Sequence, residues 1–244
     1  MKIQHKIISI FLLVITGSIH GEEICHYTVS IWSIPIVEIT MTRSDTDEDN
    51  IRELEFRTKT ILILSLFFPV DNQYKTIYDI STFQMLQYEK KVDQKNVSQT
   101  LNISWEEKDS LYHSDKTKYK RTPDFHNIFS LMMRGRNSDW ESIDTKWWNV
   151  DQEGFPYRVR YLWIDSVSVD INGKSILADH YRIDLVPAEE EPTQLVDITD
   201  VFTWGIALEE CIRQIWIEKS GERRILRGEV KVKGITLIAE IKND

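Results

Sequence analysis

The sequence predicts a mainly β protein: a strongly curved antiparallel meander sheet, an open or half barrel, with one amphipathic helix packed on its inner face. Three observations carry this. Apolar and polar residues alternate with period two along most of the chain, the pattern of strands buried on one side. The connections between these runs are too short for crossover helices, which favours antiparallel neighbours. One stretch, near residues 122–135, changes to the 3.6-residue period of a helix.

The first residues are of a different kind. Lys2 and Lys6 precede the apolar run Ile7–Thr16, and small or polar residues follow through Gly21. A basic start, a short apolar run and a small-residue exit describe a secretory signal peptide, 1–21, cut after Gly21 or Ser18. The run is shorter than the roughly 20 residues that span a bilayer. Glu23 and Ile24 precede Cys25, where a bacterial lipobox needs a small residue. The expectation is an exported, periplasmic protein without a transmembrane segment after cleavage, with 22–244 as a single β-rich domain.

Strand patterns then follow in order. Tyr27–Trp32 alternates first, and a second strand ends at the acidic turn Ser44–Asn50. Leu54, Phe56, Thr58 and Thr60 share one face, while Glu53, Glu55, Arg57 and Lys59 take the other. Similar runs cover Tyr74–Tyr78, Leu86–Val92 and Leu101–Trp105, then Tyr157–Asp165, Tyr181–Val186, Ile212–Glu218, Ile225–Val232 and Ile235–Ile241. About ten to twelve strands are implied. Asn172-Gly173 and Ser220-Gly221 read as two-residue hairpin turns. The helix is expected to start at Thr122-Pro123-Asp124, to present Phe125, Ile128, Phe129, Met132 and Met133 on one stripe, and to stop at Gly135. Residues 136–152, with Trp140, Trp147 and Trp148, read as a long irregular loop. The stretch 195–208 has room for a second helical turn, which its pattern does not decide.

Composition and motifs narrow the function classes. A net charge of −9 offers no basic field for nucleic acid. Asp45–Asp49 begins like a calcium loop, but Asn50, Arg52 and Phe56 stand where such a loop needs glycine, an apolar residue and glutamate. His26, His113, His126 and His180 lack zinc-ligand spacing. No nucleophile elbow, phosphate loop or dinucleotide fingerprint occurs, so neither a metal nor a cofactor is expected. Adjacent acids such as Glu106-Glu107 point to opposite strand faces. A hydrolase would need carboxylates from distant strands. Export leaves two readings of Cys25 and Cys211, a disulfide joining the first strand to a late one or two buried thiols.

The stretch Phe68-Pro69-Val70 through Tyr74 to Asp79, followed by Glu89-Lys90-Lys91, resembles the central motif of an exported bacterial family, domain of unknown function 3108. Thr122–Arg134 is similar to that family's helix, and Ile215–Glu218, Arg224 and Gly234–Leu237 resemble its last hairpins. The likeness spans roughly Tyr27 to Ile241 and lies in order and spacing. Met132-Met133 departs from the usual aromatic pair, and Asp71-Asn72 precedes Gln73 where arginine is common. The resemblance implies an envelope protein on a strongly curved antiparallel sheet and carries over no catalytic residue.

The leading expectation is therefore a non-catalytic envelope protein that binds a lipid or other apolar ligand in the concave face of the sheet. Its candidate ligand contacts are Phe68, Tyr74, Phe125, Phe129, Met132 and Trp163. The apolar run 61–68 and the helix stripe motivate it, being more apolar surface than one helix covers. The alternative is an envelope scaffold or assembly partner working through protein contacts, and a hydrolase ranks third.

Overall fold

The computed structural model describes residues 21–61, 65, 68–95, 97–122 and 124–242. The signal-peptide expectation lies outside the described residues, as do Pro123 and most of the 61–68 run. Fourteen strands form one antiparallel sheet. They are β1 (Glu22–Ile31), β2 (Ile34–Asp45), β3 (Ile51–Thr60), β4 (Val70–Asp79), β5 (Met85–Gln94), β6 (Val97–Glu106), β7 (Leu111–Ser114) and β8 (Lys118–Tyr119). After two helices come β9 (Trp147–Gln152), β10 (Phe155–Ile171), β11 (Lys174–Pro187), β12 (Ile212–Glu218), β13 (Ile225–Val232) and β14 (Ile235–Ile241). The helices with described bounds are α1 (Ile128–Asn137), α2 (Trp140–Ile143) and, between β11 and β12, α3 (Val201–Ala207).

Each strand pairs with its sequence neighbours except β8 with β9, and β14 pairs with β1 in the middle of the sheet. The edges are β8 and β9, so the sheet curls without closing into a barrel. The alternation explains the inner face directly. In β4, Asn72, Tyr74, Thr76 and Tyr78 point inward and are buried, while Lys75 faces out and pairs with Glu53. Turn chemistry sets the registers. Trp32-Ser33, Asn172-Gly173 and Lys233-Gly234 all have positive φ at both residues, the twist that two-residue hairpins favour. Ser220-Gly221 instead lies in a longer loop, 219–224. There Arg223 donates to the carbonyls of Arg136 and Ser138 at 2.7 and 2.8 Å, so the loop is drawn out to meet the C-terminal end of α1.

The helix packs on the inner face as expected, but its bounds differ. Residues 125–127 run instead through the gap beside the edge strand β9. Phe125 O accepts from Met85 N at 3.0 Å, and His126 exchanges backbone bonds with Asn149 and Asp151 of β9. The helix begins only where Asn127 caps it, in a reciprocal capping box with Ser130. It runs through Gly135 to Asn137. Gly135 is small for a tertiary reason: a Cβ there would fall 2.7 Å from Tyr161 Oη. Tyr161 Oη donates to Leu131 O at 2.8 Å, which locks this approach. The expected loop 136–152 holds α2 and the edge strand β9. Among the described residues no helix is long and apolar enough to cross a membrane.

Phe129 of α1 is the hub of the core. Its ring lies 5.0 Å from Phe56, 5.3 Å from Tyr74 and 6.0 Å from Tyr88, centroid to centroid. The disulfide reading fails, because Cys25 and Cys211 are both free, buried thiols. The β14–β1 and β12–β13 registers place Cys25 beyond Ile241 at one end of the sheet, and Cys211 just before Ile212 at the other. That is on the order of 25 Å along the strands, well beyond the reach of an S–S bond.

Two variants test this account. Gly135→Ala gains helix propensity yet is expected to lose about 1–3 kcal/mol, since the Tyr161 ring must move; the urea midpoint reads it. His126, in that gap, accepts from Arg134 Nε at 2.9 Å. Burial, then the Arg134 charge, lowers its pKa from 6.5 to about 4. Below pH 6.5 the unfolded chain takes up a proton that the folded chain refuses, so this group costs stability as pH falls towards 4, by up to about 3 kcal/mol. Asp151, raised by burial from 3.8 to about 6, acts in the opposite sense as pH falls through that range. The contrast is therefore wild type against His126→Gln, with urea midpoints at pH 7 and 4.5; the wild type is expected to lose more.

Candidate functional site

The inner faces of β1–β4 and β12–β14, with α1 and α3, line a cavity of about 420 Å³ that opens to solvent, within the roughly 300–1,000 Å³ of small-molecule sites. Val29, Val37, Ile39, Phe56 and Val70 line it from the first half of the sheet, and Ile215, Val230, Leu237 and Ala239 from the second. α1 contributes Ile128 and Met132, one turn apart, and α3 contributes Val201, Phe202 and Ile206. The space is there because side chains are small on both sides. A Cβ built on Gly205 of α3 or Gly228 of β13 would meet no atom within 4 Å. Gly228 sits opposite Ala239 in the sheet register, which widens the same level. Gly205 lies inside a helix, where it costs about 0.5–1 kcal/mol relative to alanine.

α3 is pinned at both ends. At its start Asp200 accepts from the backbone of Phe202 and Thr203 at 2.8 and 3.1 Å. At its end the Arg213 guanidinium donates to the carbonyls of Ile206, Leu208 and Cys211. Asp200 also belongs to a buried cluster. Lys90 Nζ lies 2.7 Å from Asp200 Oδ2 and 2.6 Å from Glu153 Oε1, all three side chains being shut from solvent. Tyr74 Oη donates to Asp200 Oδ1, Thr203 to Asp200 Oδ2, and Thr199 to Glu153 Oε2. Burial pushes the Asp200 carboxyl up, but the Lys90 charge and the hydrogen bonds outweigh it, holding its pKa below the usual carboxylate value. Burial, then the Asp200 charge, drives the Tyr74 phenol far up, so it stays a donor. Two distant carboxylates do meet here, and their oxygens are occupied by Lys90, Tyr74 and the threonines.

Asn72 Nδ2 donates to Tyr74 Oη at 2.8 Å. Asn72 Oδ1 and Thr58 Oγ1 have no hydrogen-bond partner although both residues are almost wholly buried, and both residues line the cavity. At the strand ends nearest the cavity, exposed apolar side chains gather. They are Trp32 and Ile34 at the β1–β2 turn, Phe68 ahead of β4, and Ile212 and Ile235 at the starts of β12 and β14.

Of the six residues expected to touch ligand, Phe68 and Met132 line the cavity. Tyr74 and Phe129 are buried in the packing beneath it. Phe125 is buried in the gap beside β9, where its carbonyl meets Met85. Trp163 stacks on Trp140 at 4.6 Å and does not line the cavity. Sequence reasoning left the helical turn within 195–208 undecided, where α3 stands, and missed the polar roles of Thr58, Asn72 and Lys90. Their signal was phase: each occupies an inward position in an alternating strand, where an apolar side chain is the rule. Among the described residues no three His, Cys, Asp or Glu side chains form a group able to hold a metal ion.

The glycine walls make a direct test. Gly205→Ala is expected to raise stability by up to about 1 kcal/mol, since the site is open and the helix gains. Gly228→Leu is expected to fold and to shrink the cavity, read by loss of uptake of an apolar fluorescent probe.

No protein-family model matches the chain, and no curated protein matches it. Among solved structures, the chain is similar to a beta-barrel-like protein of domain of unknown function DUF1849 from Brucella abortus, at 9% identity and a TM-score of 0.54, over 91% of this chain and 95% of that one. A "putative lipoprotein" from Parabacteroides distasonis matches at 8% identity and a TM-score of 0.38, over 91% and 94% of the two chains; that likeness is too remote to bear on this one. The first similarity is one of fold: a curled, mostly β chain that is barrel-like along nearly its whole length.

Proposed function

We propose that the protein is an exported, non-catalytic protein of the bacterial cell envelope that holds one lipid or similar apolar ligand in its cavity. In this reading residues 1–21 are a cleaved leader, and 22–244 work as one domain in the periplasm. The carrying observation is the apolar cavity of about 420 Å³ whose walls are thinned by Gly205 and Gly228. A well-packed core leaves few voids larger than a water molecule, because empty space forfeits dispersion contacts. Space of this size, walled by glycine on two separate elements, fits a resident ligand better than a packing fault. The resemblance of the motif order to domain of unknown function 3108, and the apolar run Ile7–Thr16 read as a leader, support the envelope setting.

A second reading, an assembly partner acting through protein contacts, is favoured by the exposed apolar side chains around Trp32, which is 77% exposed. One experiment separates the two. The full chain is expressed with its leader, purified from a periplasmic extract without detergent, and weighed by native mass spectrometry. A mass excess that disappears on denaturation and is recovered as lipid is the expected result. A bare protein mass overturns the pre-loaded carrier, and a stoichiometric protein companion favours the second reading.

A further inference from the structure

Thr58 of β3 and Asn72 of β4 are direct cross-strand partners on the inner face. Both line the cavity, and each has a polar atom that nothing in the protein satisfies. Buried polar atoms are normally paired, and an orphan calls for a partner from outside the fold. The orientation of Asn72 is fixed by chemistry. Its Nδ2 donates to Tyr74 Oη, and Tyr74 Oη spends its hydrogen on Asp200 Oδ1. Turning the amide over would set its oxygen against a phenol oxygen that has no hydrogen left to give. Asn72 Oδ1 is therefore left as a free acceptor, and the Thr58 hydroxyl beside it can donate or accept.

We propose that Thr58 and Asn72 form a polar anchor for the ligand, and that the class it selects is an uncharged long-chain amphiphile ending in a hydroxyl or amide. This rests on the cavity being a ligand site. As the structure stands both atoms are shut from solvent, so the two side chains must turn a little toward the cavity; a ligand hydroxyl then donates to Asn72 Oδ1 and accepts from Thr58 Oγ1, which satisfies both orphans. A carboxylate has no matching cation there. Lys90 is already shared by Glu153 and Asp200, and Arg213 is occupied by three carbonyls. A carboxylate against Asn72 Oδ1 would also set acceptor against acceptor.

The test uses the exported protein, freed of co-purified lipid on a hydrophobic resin, with Nile red in the cavity. Displacement is measured with 1-dodecanol, dodecanoate at pH 8 and dodecane, on wild type and Thr58→Val. The variant is isosteric and removes an atom with no partner in the fold, so its melting temperature is expected to be unchanged or higher. Wild type is expected to prefer dodecanol over both others by about fivefold to tenfold, the weight of one hydrogen bond. Thr58→Val is expected to remove most of that preference while leaving dodecane unchanged. Equal displacement by the three, or a preference that Thr58→Val does not touch, overturns the anchor and leaves the apolar cavity standing. If Nile red does not bind, or none of the three displaces it, the ligand site itself is wrong and the anchor falls with it.

Discussion

Lys90 carries an ammonium group into the interior of the curled sheet, and two carboxylates from distant parts of the chain meet it there. Replacing such a group by a hydrophobe is often neutral, while removing one partner of a buried pair typically costs about 3–5 kcal/mol. Its effect here is geometric. One nitrogen joins β5, the tight Glu153-Gly154 turn and the cap of α3, three segments that no strand pairing connects. The turn has no slack of its own: Gly154 has φ 90°, and a Cβ on it would fall 1.9 Å from Thr193 O. One cation against two carboxylates leaves an excess negative charge, which the threonines, Tyr74 and the backbone amides opening α3 spread out. α3 stands where it does because of this cluster at one end and Arg213 at the other, and α3 is a wall of the cavity.

The cavity follows from the way the sheet ends. An edge strand of two residues, β8, cannot pair along the six of β9, and the chain that leaves β8 runs through the opening before it becomes α1. His126 satisfies part of the exposed edge of β9 through Asn149 O and Asp151 N, as an unpaired edge requires. Arg121 backs this edge with bonds to Asp151 and Gly154 O at 2.9 and 2.7 Å. Held open in this way, the curl encloses more volume than α1 fills. Phe129 packs one side of the interior and leaves the other to short side chains and empty space.

Much of this was legible. The alternation of Leu54, Phe56 and Thr58 against Glu53, Glu55 and Arg57 is the observed division of β3, and meander order followed from short connections. Of the expected stripe, Ile128, Phe129, Met132 and Met133 lie in the helix and Phe125 precedes it, and Met132 lines the cavity together with Phe68. The helix starts later than the local pattern suggests, because His126 pairs with β9, a partner that no local pattern names. Gly135 reads as a stop signal and is in fact a contact with Tyr161, some 26 residues away. Lys90 sits inside Glu89-Lys90-Lys91, a run that looks like solvated surface until Glu153 and Asp200 arrive from elsewhere. Local chemistry specifies strands and turns, whereas the polar interior is written in pairs separated by 63 and 110 positions.

The order of strands has a consequence for how the chain is made. The two halves of the sheet, β1–β8 and β9–β14, are stitched in the middle by the pairing of β1 with β14, the first strand and the last. Such a contact spans almost the whole sequence, and closing it must await the final residues. Until Ile235–Ile241 emerges, β1 presents an open edge. A chain emerging from a ribosome or a translocation pore therefore spends its synthesis as two unfinished sheets, vulnerable at the seam that will become their centre.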